Sequence, residues 1–288
     1  MTETATPAAT AIYRGMDRAA LDAAYNNSAV VADSQEWVGR WRERSAAIRA
    51  SSGVRLDIPY GPRPRAKLDY FPSGAKDAPL FVFIHGGYWQ RNEKDTFAFV
   101  SDGPRARGIN VALPGYTLAP DVTLTDIVAE IAASLTYLAR NAKELGFDGG
   151  AIIVGGWSAG GHLTAAVAHH PAFCAGIPIS GIFDLEPIAL SYLDEKLSLS
   201  PAEIATLSPL KTLSDKSPPL KVVVGGAELP ELRRQSAEFA SAAKARGLPV
   251  TLTELPGHHH FSILDEIARP DGALTQQLVD LVAATGRS

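Results

Sequence analysis

The sequence predicts an α/β fold: a mostly parallel central sheet of about eight strands with helices on both faces. The first observation is a series of short, continuously apolar runs, of which Leu80–Ile84 is the clearest. Such runs are typical of strands that are buried on both faces. The second observation is the helical stretches between them. In residues 124–138, apolar side chains recur at spacings of three and four, which indicates an amphipathic helix. Strands alternating with helices predict parallel strands joined by crossovers.

The strands follow in order along the chain. Val54–Ile58 and Lys67–Phe71 alternate polar and apolar residues around a turn rich in proline and glycine, so we expect an antiparallel pair at one edge of the sheet. Val250–Leu255 also alternates, and we expect it near the other edge. The buried central strands are predicted at Leu80–Ile84, Ile109–Leu113, Ala151–Val154, Gly176–Ile179 and Leu220–Val224.

We expect one domain over residues 1–288, with two additions to the sheet and its helices. The pattern of residues 13–52 predicts a helical extension. The Thr/Ala-rich segment before it, residues 1–12, is expected to be disordered. Within this extension, one helical face carries Trp37, Trp41 and Ile48. We expect this face to pack against the main domain; the alternative is that it forms one wall of a substrate site. Residues 186–218, rich in Leu, Ser and Pro, predict a small cap.

Composition excludes several classes of partner. The chain has 27 basic and 31 acidic residues and no long basic block, so we expect no nucleic acid partner. Its apolar runs stay well short of the roughly 20 residues of a membrane span, so we expect no membrane partner. One cysteine, Cys174, and an N-terminus without the layout of a secretory signal predict a cytoplasmic protein. A homodimer is compatible with these features.

The segment Gly156-Trp157-Ser158-Ala159-Gly160 matches G-x-S-x-G, the nucleophile elbow, in which a strand turns sharply into a helix. The apolar run Ala151–Val154 precedes it, and a helix is predicted from Gly161 to about His169. Ser158 is therefore the candidate nucleophile. The positive end of the following helix would favour negative charge beside it.

The loop after the third predicted strand reads His85-Gly86-Gly87-Tyr88-Trp89. Glycines there allow backbone N–H groups to approach a ligand oxygen, and H-G-G loops form oxyanion holes in lipase-like enzymes. We therefore predict oxyanion donors at the amides of Gly86 or Gly87, together with the amide of Ala159. His85 is expected to brace the loop.

A serine nucleophile needs a base, and the histidines that follow the last predicted strand are His258-His259-His260. We select His260, because Phe261 beside it can anchor the loop in the core. His162 lies one helical turn beyond Ser158 and is expected to be structural. Consecutive histidines rarely reach one ion, and no H-E-x-x-H pattern accompanies them, so we expect neither a metal nor a cofactor.

The acid that orients the base is expected where a strand ends. Glu228 follows strand Leu220–Val224 by a few residues and is the favoured candidate. Asp184, after strand Gly176–Ile179, and Glu231 are the alternatives. Nucleophile, acid and histidine in the order Ser158, Glu228, His260 match the order found in α/β-hydrolases.

With these motifs the sequence resembles the α/β-hydrolase superfamily, and within it the arylformamidase (kynurenine formamidase)-like esterases. The residues that carry the resemblance are His85–Trp89, Gly156–His162, Glu228–Ser236, His260-Phe261, and the N-terminal Tyr13–Asp17 and Tyr25-Asn26. The likeness covers most of the chain. It departs at Glu228, where animal members tend to have aspartate.

The resemblance implies hydrolysis of N-formyl-L-kynurenine to kynurenine and formate, or the broader carboxylesterase activity of related proteins. The residues by themselves predict acyl transfer through an acyl-enzyme, with a small-molecule acyl substrate. Tyr88, Trp89 and Trp157 are predicted to contact that substrate, and Trp37 or Trp41 could join them. A non-catalytic binding protein on a hydrolase scaffold is the alternative from another class.

Overall fold

The computed structural model describes residues 10–286, so most of the segment predicted to be disordered, residues 1–9, lies outside the described chain. Its centre is one eight-stranded sheet. The strands are β1 (Arg55–Pro59), β2 (Lys67–Phe71), β3 (Leu80–Ile84), β4 (Asn110–Pro114), β5 (Ile152–Trp157), β6 (Ala175–Ile179), β7 (Leu220–Gly225) and β8 (Val250–Leu255). All eight coincide with predicted strands to within three residues at either end.

The sheet is mostly parallel, as predicted. Its strand order is β1-β2-β4-β3-β5-β6-β7-β8, with antiparallel pairing only at β1–β2 and β2–β4. The expected edge positions of β1 and β8 are confirmed. In the parallel part, Ile84 pairs with Gly156 and Trp157 with Ile179. The carboxyl ends of β3, β5, β6, β7 and β8 therefore meet at one edge, where ligands bind in open α/β sheets.

Twelve α-helices lie within residues 10–286. They are α1 (Arg18–Ala24), α2 (Asn27–Val30), α3 (Ser34–Arg49), α4 (Asp102–Ala106), α5 (Leu124–Leu145), α6 (Ala159–Ala166), α7 (Glu186–Ala189), α8 (Asp194–Leu197), α9 (Pro201–Leu207), α10 (Pro230–Ala245), α11 (Asp265–Ala268) and α12 (Ala273–Ala284). Two 3₁₀ helices join them, at Lys94–Ser101 and Ser262–Leu264. The region 13–52 thus contains three helices, and the region 186–218 contains three short ones.

The longest helix, α5, has well-defined ends. Thr123 and Asp126 form a reciprocal capping box at its start, and Gly146 ends it in the left-handed conformation with φ 80°. Both features satisfy backbone groups that a helix end would leave unpaired. The apolar stripe predicted from the sequence is buried against the sheet.

Side chains of the central strands alternate between two cores, one on each face of the sheet. In β3, Leu80, Val82 and Ile84 pack in the core that contains α5 and α10, whereas Phe81 and Phe83 pack in the core that contains α12. All five are at most 1% exposed. Burying a side chain of this size contributes about 1.5–3 kcal/mol, so both faces hold the sheet in place. This explains why the central strands carry no polar alternation.

No helix within residues 10–286 has both the length and the apolar character to cross a bilayer.

Candidate active site

Ser158 occupies a strained turn between β5 and α6. Its backbone has φ 60° and ψ −119°, a conformation that costs a non-glycine residue roughly 1–3 kcal/mol. The Ser158 N–H donates to the Ile179 carbonyl on β6 over 2.8 Å, which fixes the turn to the neighbouring strand. A Cβ atom at Gly160 would collide with the Ile84 carbonyl oxygen, so only glycine fits there. The helix begins at Ala159, two residues earlier than predicted, because the turn is complete at the serine.

His260 lies in the loop after β8 and is 4% exposed. Its Nδ1 atom is 2.7 Å from Oε2 of Glu228. Its carbonyl oxygen accepts a hydrogen bond from the Trp157 indole over 2.8 Å, and the two rings lie 4.7 Å apart. The residue before Ser158 therefore fixes the backbone and the ring of His260.

Glu228 follows β7 and has both carboxylate oxygens engaged. Oε2 faces His260, while Oε1 accepts from the Ser180 hydroxyl over 2.5 Å and from the Gly225 N–H over 2.8 Å. Hydrogen bonds to an ionised acceptor are roughly twice as strong as neutral ones. Ser180 comes directly after β6 and was not singled out from the sequence. The sequence signal that could have identified Ser180 is its position directly after β6, the strand beside β7, which leads to Glu228.

The other two candidate acids lie away from His260 and have partners of their own. Glu231 accepts from the Tyr25 hydroxyl over 3.1 Å and pairs with Arg234 over 2.7 Å. Asp184 accepts from the Glu186 N–H over 3.1 Å. Of the three carboxylates, Glu228 is the one that contacts His260.

Ser158 and His260 line one cavity of about 550 Å³, together with Gly87, Tyr88 and Trp157. Much of its remaining wall comes from α2, α3 and the segments beside them. The wall residues from this region are Asn26, Asn27, Ser28, Ser34, Gln35, Val38 and Arg42. Residues 13–52 therefore contribute to the wall of this cavity, through side chains other than those of the predicted apolar face. Packing against the main domain holds too, since Trp41 is 1% exposed and its ring lies 5.5 Å from that of Trp157.

Basic side chains predominate among the charged residues along this cavity. Arg42, Arg65 and Arg91 line it, against one acidic residue, Glu93. None of the three arginines was identified from the sequence, since they come from three separate segments. Together they favour a ligand that carries negative charge.

The residues predicted to supply oxyanion donors lie beside Ser158. A Cβ atom at Gly86 would lie 3.0 Å from Cβ of Ser158 and 2.6 Å from the Trp157 carbonyl oxygen, so the loop after β3 passes directly over the serine. Ala159 follows the serine at the start of α6. In residues 10–286, the amides of Gly86, Gly87 and Ala159 donate no hydrogen bond. Three free N–H groups beside one serine can stabilise an oxyanion.

Of the side chains predicted to contact substrate, Tyr88 and Trp157 line the cavity and Trp89 does not. Trp89 is fully buried, and its ring meets that of His162 edge-on at 4.9 Å. The expectation for Trp89 is thus corrected: the turn at residues 87–90 directs this side chain into the core. Trp37 and Trp41 do not line the cavity either.

Two further histidines near the site are buried and neutral. Burial lowers the pKa of His162 to about 4, and its Nε2 atom lies 2.8 Å from the Leu207 carbonyl oxygen. Burial also lowers the pKa of His85 to about 3, and its Nδ1 atom lies 2.9 Å from the Gly86 carbonyl oxygen. At neutral pH both side chains carry no charge.

Three carboxylates, those of Asp57, Asp69 and Asp95, lie close enough together to hold a cation. Asp57, Asp69 and Asp95 each place an oxygen 2.7–2.8 Å from the Lys94 ammonium, and Arg49 pairs with Asp69 and Asp95. The hydrogen bond from Lys94 lowers the pKa of Asp57. The lysine thus provides the positive charge that these carboxylates require, and the cluster ties α3 to β1 and β2.

Comparisons with known proteins agree with this architecture. The BD-FAE family model matches residues 68–172, which include the loop after β3 and the serine turn. A kynurenine formamidase from Danio rerio is 30% identical over 256 residues, covering 83% of this chain and 86% of the relative.

Solved structures show the same fold. A candidate thioesterase from Silicibacter sp. TM1040 is 30% identical with a TM-score of 0.81, covering 89% of this chain and 97% of the other. An esterase from Pyrobaculum calidifontis shares the fold at 18% identity and a TM-score of 0.72, covering 90% and 97%. The resemblance read from the motifs is confirmed: this chain belongs to the arylformamidase-like (kynurenine formamidase) α/β-hydrolases and is a hydrolase of the ester or formamide type.

Proposed function

We propose that this protein is a serine hydrolase that cleaves an aryl formamide or a carboxylic ester through an acyl-enzyme, with N-formyl-L-kynurenine as its substrate. The observation that carries the proposal is the shared cavity of Ser158 and His260, in which the histidine is held by Glu228 at 2.7 Å. A nucleophile, a base and an acid that orients the base are the groups that acyl transfer requires.

The steps follow from these positions. His260 takes the proton of the Ser158 hydroxyl as its oxygen attacks the acyl carbon, and Glu228 stabilises the imidazolium that forms. The amides of Gly86 or Gly87 and of Ala159 donate to the oxyanion of the tetrahedral intermediate. His260 then passes the proton to the departing amine or alcohol. Water, activated by the same histidine, hydrolyses the acyl-enzyme and releases formate or another acid.

Two observations support a formamide that carries a carboxylate. The Danio rerio relative is a kynurenine formamidase, and the cavity is lined by Arg42 and Arg91, besides Arg65, which donates to backbone carbonyls. N-formyl-L-kynurenine has an α-carboxylate besides its aryl formamide. An arginine paired with a carboxylate forms a charge-assisted, often bidentate contact, and this contact would bind the substrate without taking part in bond cleavage.

A broad carboxylesterase is the second candidate. It is favoured by the esterase fold neighbours and by the three free amides, which would serve the oxyanion of an ester as well as that of a formamide. The chemistry of the serine, histidine and glutamate is the same for both substrates.

The test compares kcat/KM on N-formyl-L-kynurenine and on p-nitrophenyl acetate, with Ser158→Ala as the blank. A value of about 10⁴ M⁻¹s⁻¹ or more on the formamide, the lower end of the ordinary enzyme range, supports the formamidase. Good ester turnover with little formamide turnover retains the serine mechanism and favours the esterase.

A fluorophosphonate probe tests the mechanism independently of the substrate. The probe should label Ser158 in the folded protein and leave Ser158→Ala unlabelled. Failure to label the wild-type protein would favour a non-catalytic binding protein.

A further inference from the structure

The loop that crosses over Ser158 has an unusual backbone. Gly87 has φ 120°, and three non-glycine residues, Tyr88, Trp89 and Asn92, have φ of 51°, 59° and 74°. Side chains disfavour this left-handed region, so such a loop persists only where its surroundings impose it. The contacts that impose it also determine where the amides of the loop point.

Both carbonyl groups at the start of the loop are held. The Gly86 carbonyl oxygen accepts from Nδ2 of Asn92 over 3.2 Å and lies 2.9 Å from Nδ1 of His85. The Gly87 carbonyl oxygen accepts from the N–H groups of Gln90 and Arg91, each over 3.0 Å. The two successive peptide groups are therefore fixed in orientation.

The orientation of the Gly86 carbonyl determines that of the Gly87 amide. In a trans peptide group the C=O and the following N–H point in opposite directions within one plane. Since Asn92 and His85 hold the carbonyl on one side, the Gly87 N–H is directed to the other. It forms no hydrogen bond within residues 10–286, and Gly87 lines the cavity beside Ser158.

We propose that Asn92 is a positioning residue for the oxyanion hole: by holding the Gly86 carbonyl, its side-chain amide aims the Gly87 N–H at the oxygen that becomes negative during acyl transfer. This inference rests on the proposed serine hydrolase function and adds to it a residue outside the nucleophile, acid and base. Asn92 does not touch the reacting atoms in this scheme. It acts through the peptide group that joins Gly86 to Gly87.

Asn92 is itself held from outside the loop. The Arg65 guanidinium donates to the Asn92 carbonyl over 2.6 Å and to the Tyr116 carbonyl over 2.8 Å. The Tyr116 hydroxyl donates to the His85 carbonyl over 3.0 Å, and its ring stacks on that of His85 at 4.3 Å. These contacts join Asn92 and His85, the two side chains that meet at the Gly86 carbonyl.

Asn92→Gly is the decisive variant. Glycine adopts φ 74° without strain, so the substitution removes the side-chain donor and preserves the backbone conformation. Asp77→Gly is the matched control, because Asp77 also has a positive φ, 50°, but lies exposed in a turn before β3. Asn92→Asp is the second variant: it keeps the size of the side chain and replaces the donor with a carboxylate oxygen.

The readouts separate positioning from folding. With p-nitrophenyl acetate we expect kcat of Asn92→Gly to fall about 10-fold, less than the roughly 10²–10³ lost when an oxyanion donor is removed outright. KM should stay within about twofold, since the ground-state carbonyl gains little from the donor. An aryl trifluoromethyl ketone, whose serine adduct carries the same oxyanion, should lose affinity by the same factor as kcat. Asn92→Asp should lose more, and Asp77→Gly should match the wild-type protein in all three quantities.

The positioning role would be overturned if kcat of Asn92→Gly were unchanged, or if activity fell only through a higher KM while the ketone bound with full affinity. In either case, turnover by the wild-type protein would still support the proposed function. Wild-type protein that turns over neither substrate faster than Ser158→Ala would overturn the proposed function, and the positioning role with it. The midpoint temperature of thermal unfolding, measured for each variant, identifies any loss of activity that is due to unfolding.

Discussion

The Nδ1 atom of His260 and the Oε2 atom of Glu228 lie 2.7 Å apart in a region that leaves these two residues 4% and 6% exposed. The second carboxylate oxygen is bound by Ser180 and Gly225. With both oxygens engaged, the carboxylate has one orientation, and the imidazole that it contacts is oriented with it. The loops after three different strands, β6, β7 and β8, thus meet at one side chain.

Replacing the acid should show which carboxylate serves the site. We expect Glu228→Gln to lower kcat by about 10⁴-fold, as the loss of the orienting carboxylate does in serine proteases. Asp184→Asn is the matched control. Its kcat should stay within about threefold of the wild-type value, because Asp184 does not contact His260. Turnover of p-nitrophenyl acetate measures both. A larger loss in Asp184→Asn would reverse the assignment.

The Ser180 hydroxyl should contribute through the carboxylate that it holds. Ser180→Ala removes one hydrogen bond to a charged group, a contact of about 1.5–3 kcal/mol. If most of that energy orients the acid, kcat/KM should fall about 10-fold, equivalent to about 1.4 kcal/mol. Ser134→Ala is the control, since Ser134 is also fully buried but its hydroxyl donates to the Ile131 carbonyl within α5. Equal activity in the two variants would argue against this role of Ser180.

The Tyr88 hydroxyl connects the loop over Ser158 to the N-terminal region. It donates to the Tyr25 carbonyl over 2.6 Å and accepts from Nδ2 of Asn27 over 3.0 Å, and burial raises its pKa, so it stays protonated. Tyr88→Phe leaves the Tyr25 carbonyl and the Asn27 amide without this partner. We expect the free energy of unfolding to fall by about 1–3 kcal/mol and kcat to fall with it, because the strained loop loses a support.

Chemical denaturation and ester turnover measure these two quantities. Tyr137→Phe on α5 is the control, because the half-buried Tyr137 makes no side-chain hydrogen bond through its hydroxyl to the residues at 10–286. If Tyr88→Phe were as stable and as active as Tyr137→Phe, the Tyr88 hydroxyl would not support the loop over Ser158.

Mild acid should destabilise the protein through His162, in addition to the buried His85. Burial lowers the pKa of this fully buried side chain to about 4, below its ordinary value of 6.5. In the unfolded chain the His162 imidazole is therefore protonated below pH 6.5, whereas in the folded chain it is protonated only below about pH 4. The free energy of unfolding should be level above pH 6.5 and fall as the pH decreases. At pH 5 the loss due to His162 is about 2 kcal/mol.

His162→Gln should reduce this pH dependence, because glutamine can donate to the Leu207 carbonyl and does not titrate. Chemical denaturation at pH 7.5 and pH 5 gives the slope for each protein. His169→Gln, at the exposed far end of the same segment, should retain the wild-type slope. If His162→Gln retained it as well, the acid sensitivity would have another origin.

The sequence predicted the parts of this structure that depend on neighbours in the chain. Apolar runs marked the five central strands, alternation of polar and apolar residues marked the other three, and the glycines around Ser158 marked the turn. Strand burial patterns and turn sterics act over a few residues. The same local rules placed Glu228 and His260 in loops after strands. They favoured Glu228 but left Asp184 and Glu231 open as alternatives, since these carboxylates also follow strands.

Only the tertiary structure decided which of these side chains meet. It placed Glu228 against His260, added Ser180, and buried Trp89 beneath the loop that the sequence had assigned to the substrate. It also brought Asn27 and other residues of the N-terminal region to the cavity wall. These contacts join segments that lie tens to hundreds of positions apart. They form when helices and loops pack on the sheet, and the energy of that packing is set by the shapes of both surfaces and not by the pattern of either segment.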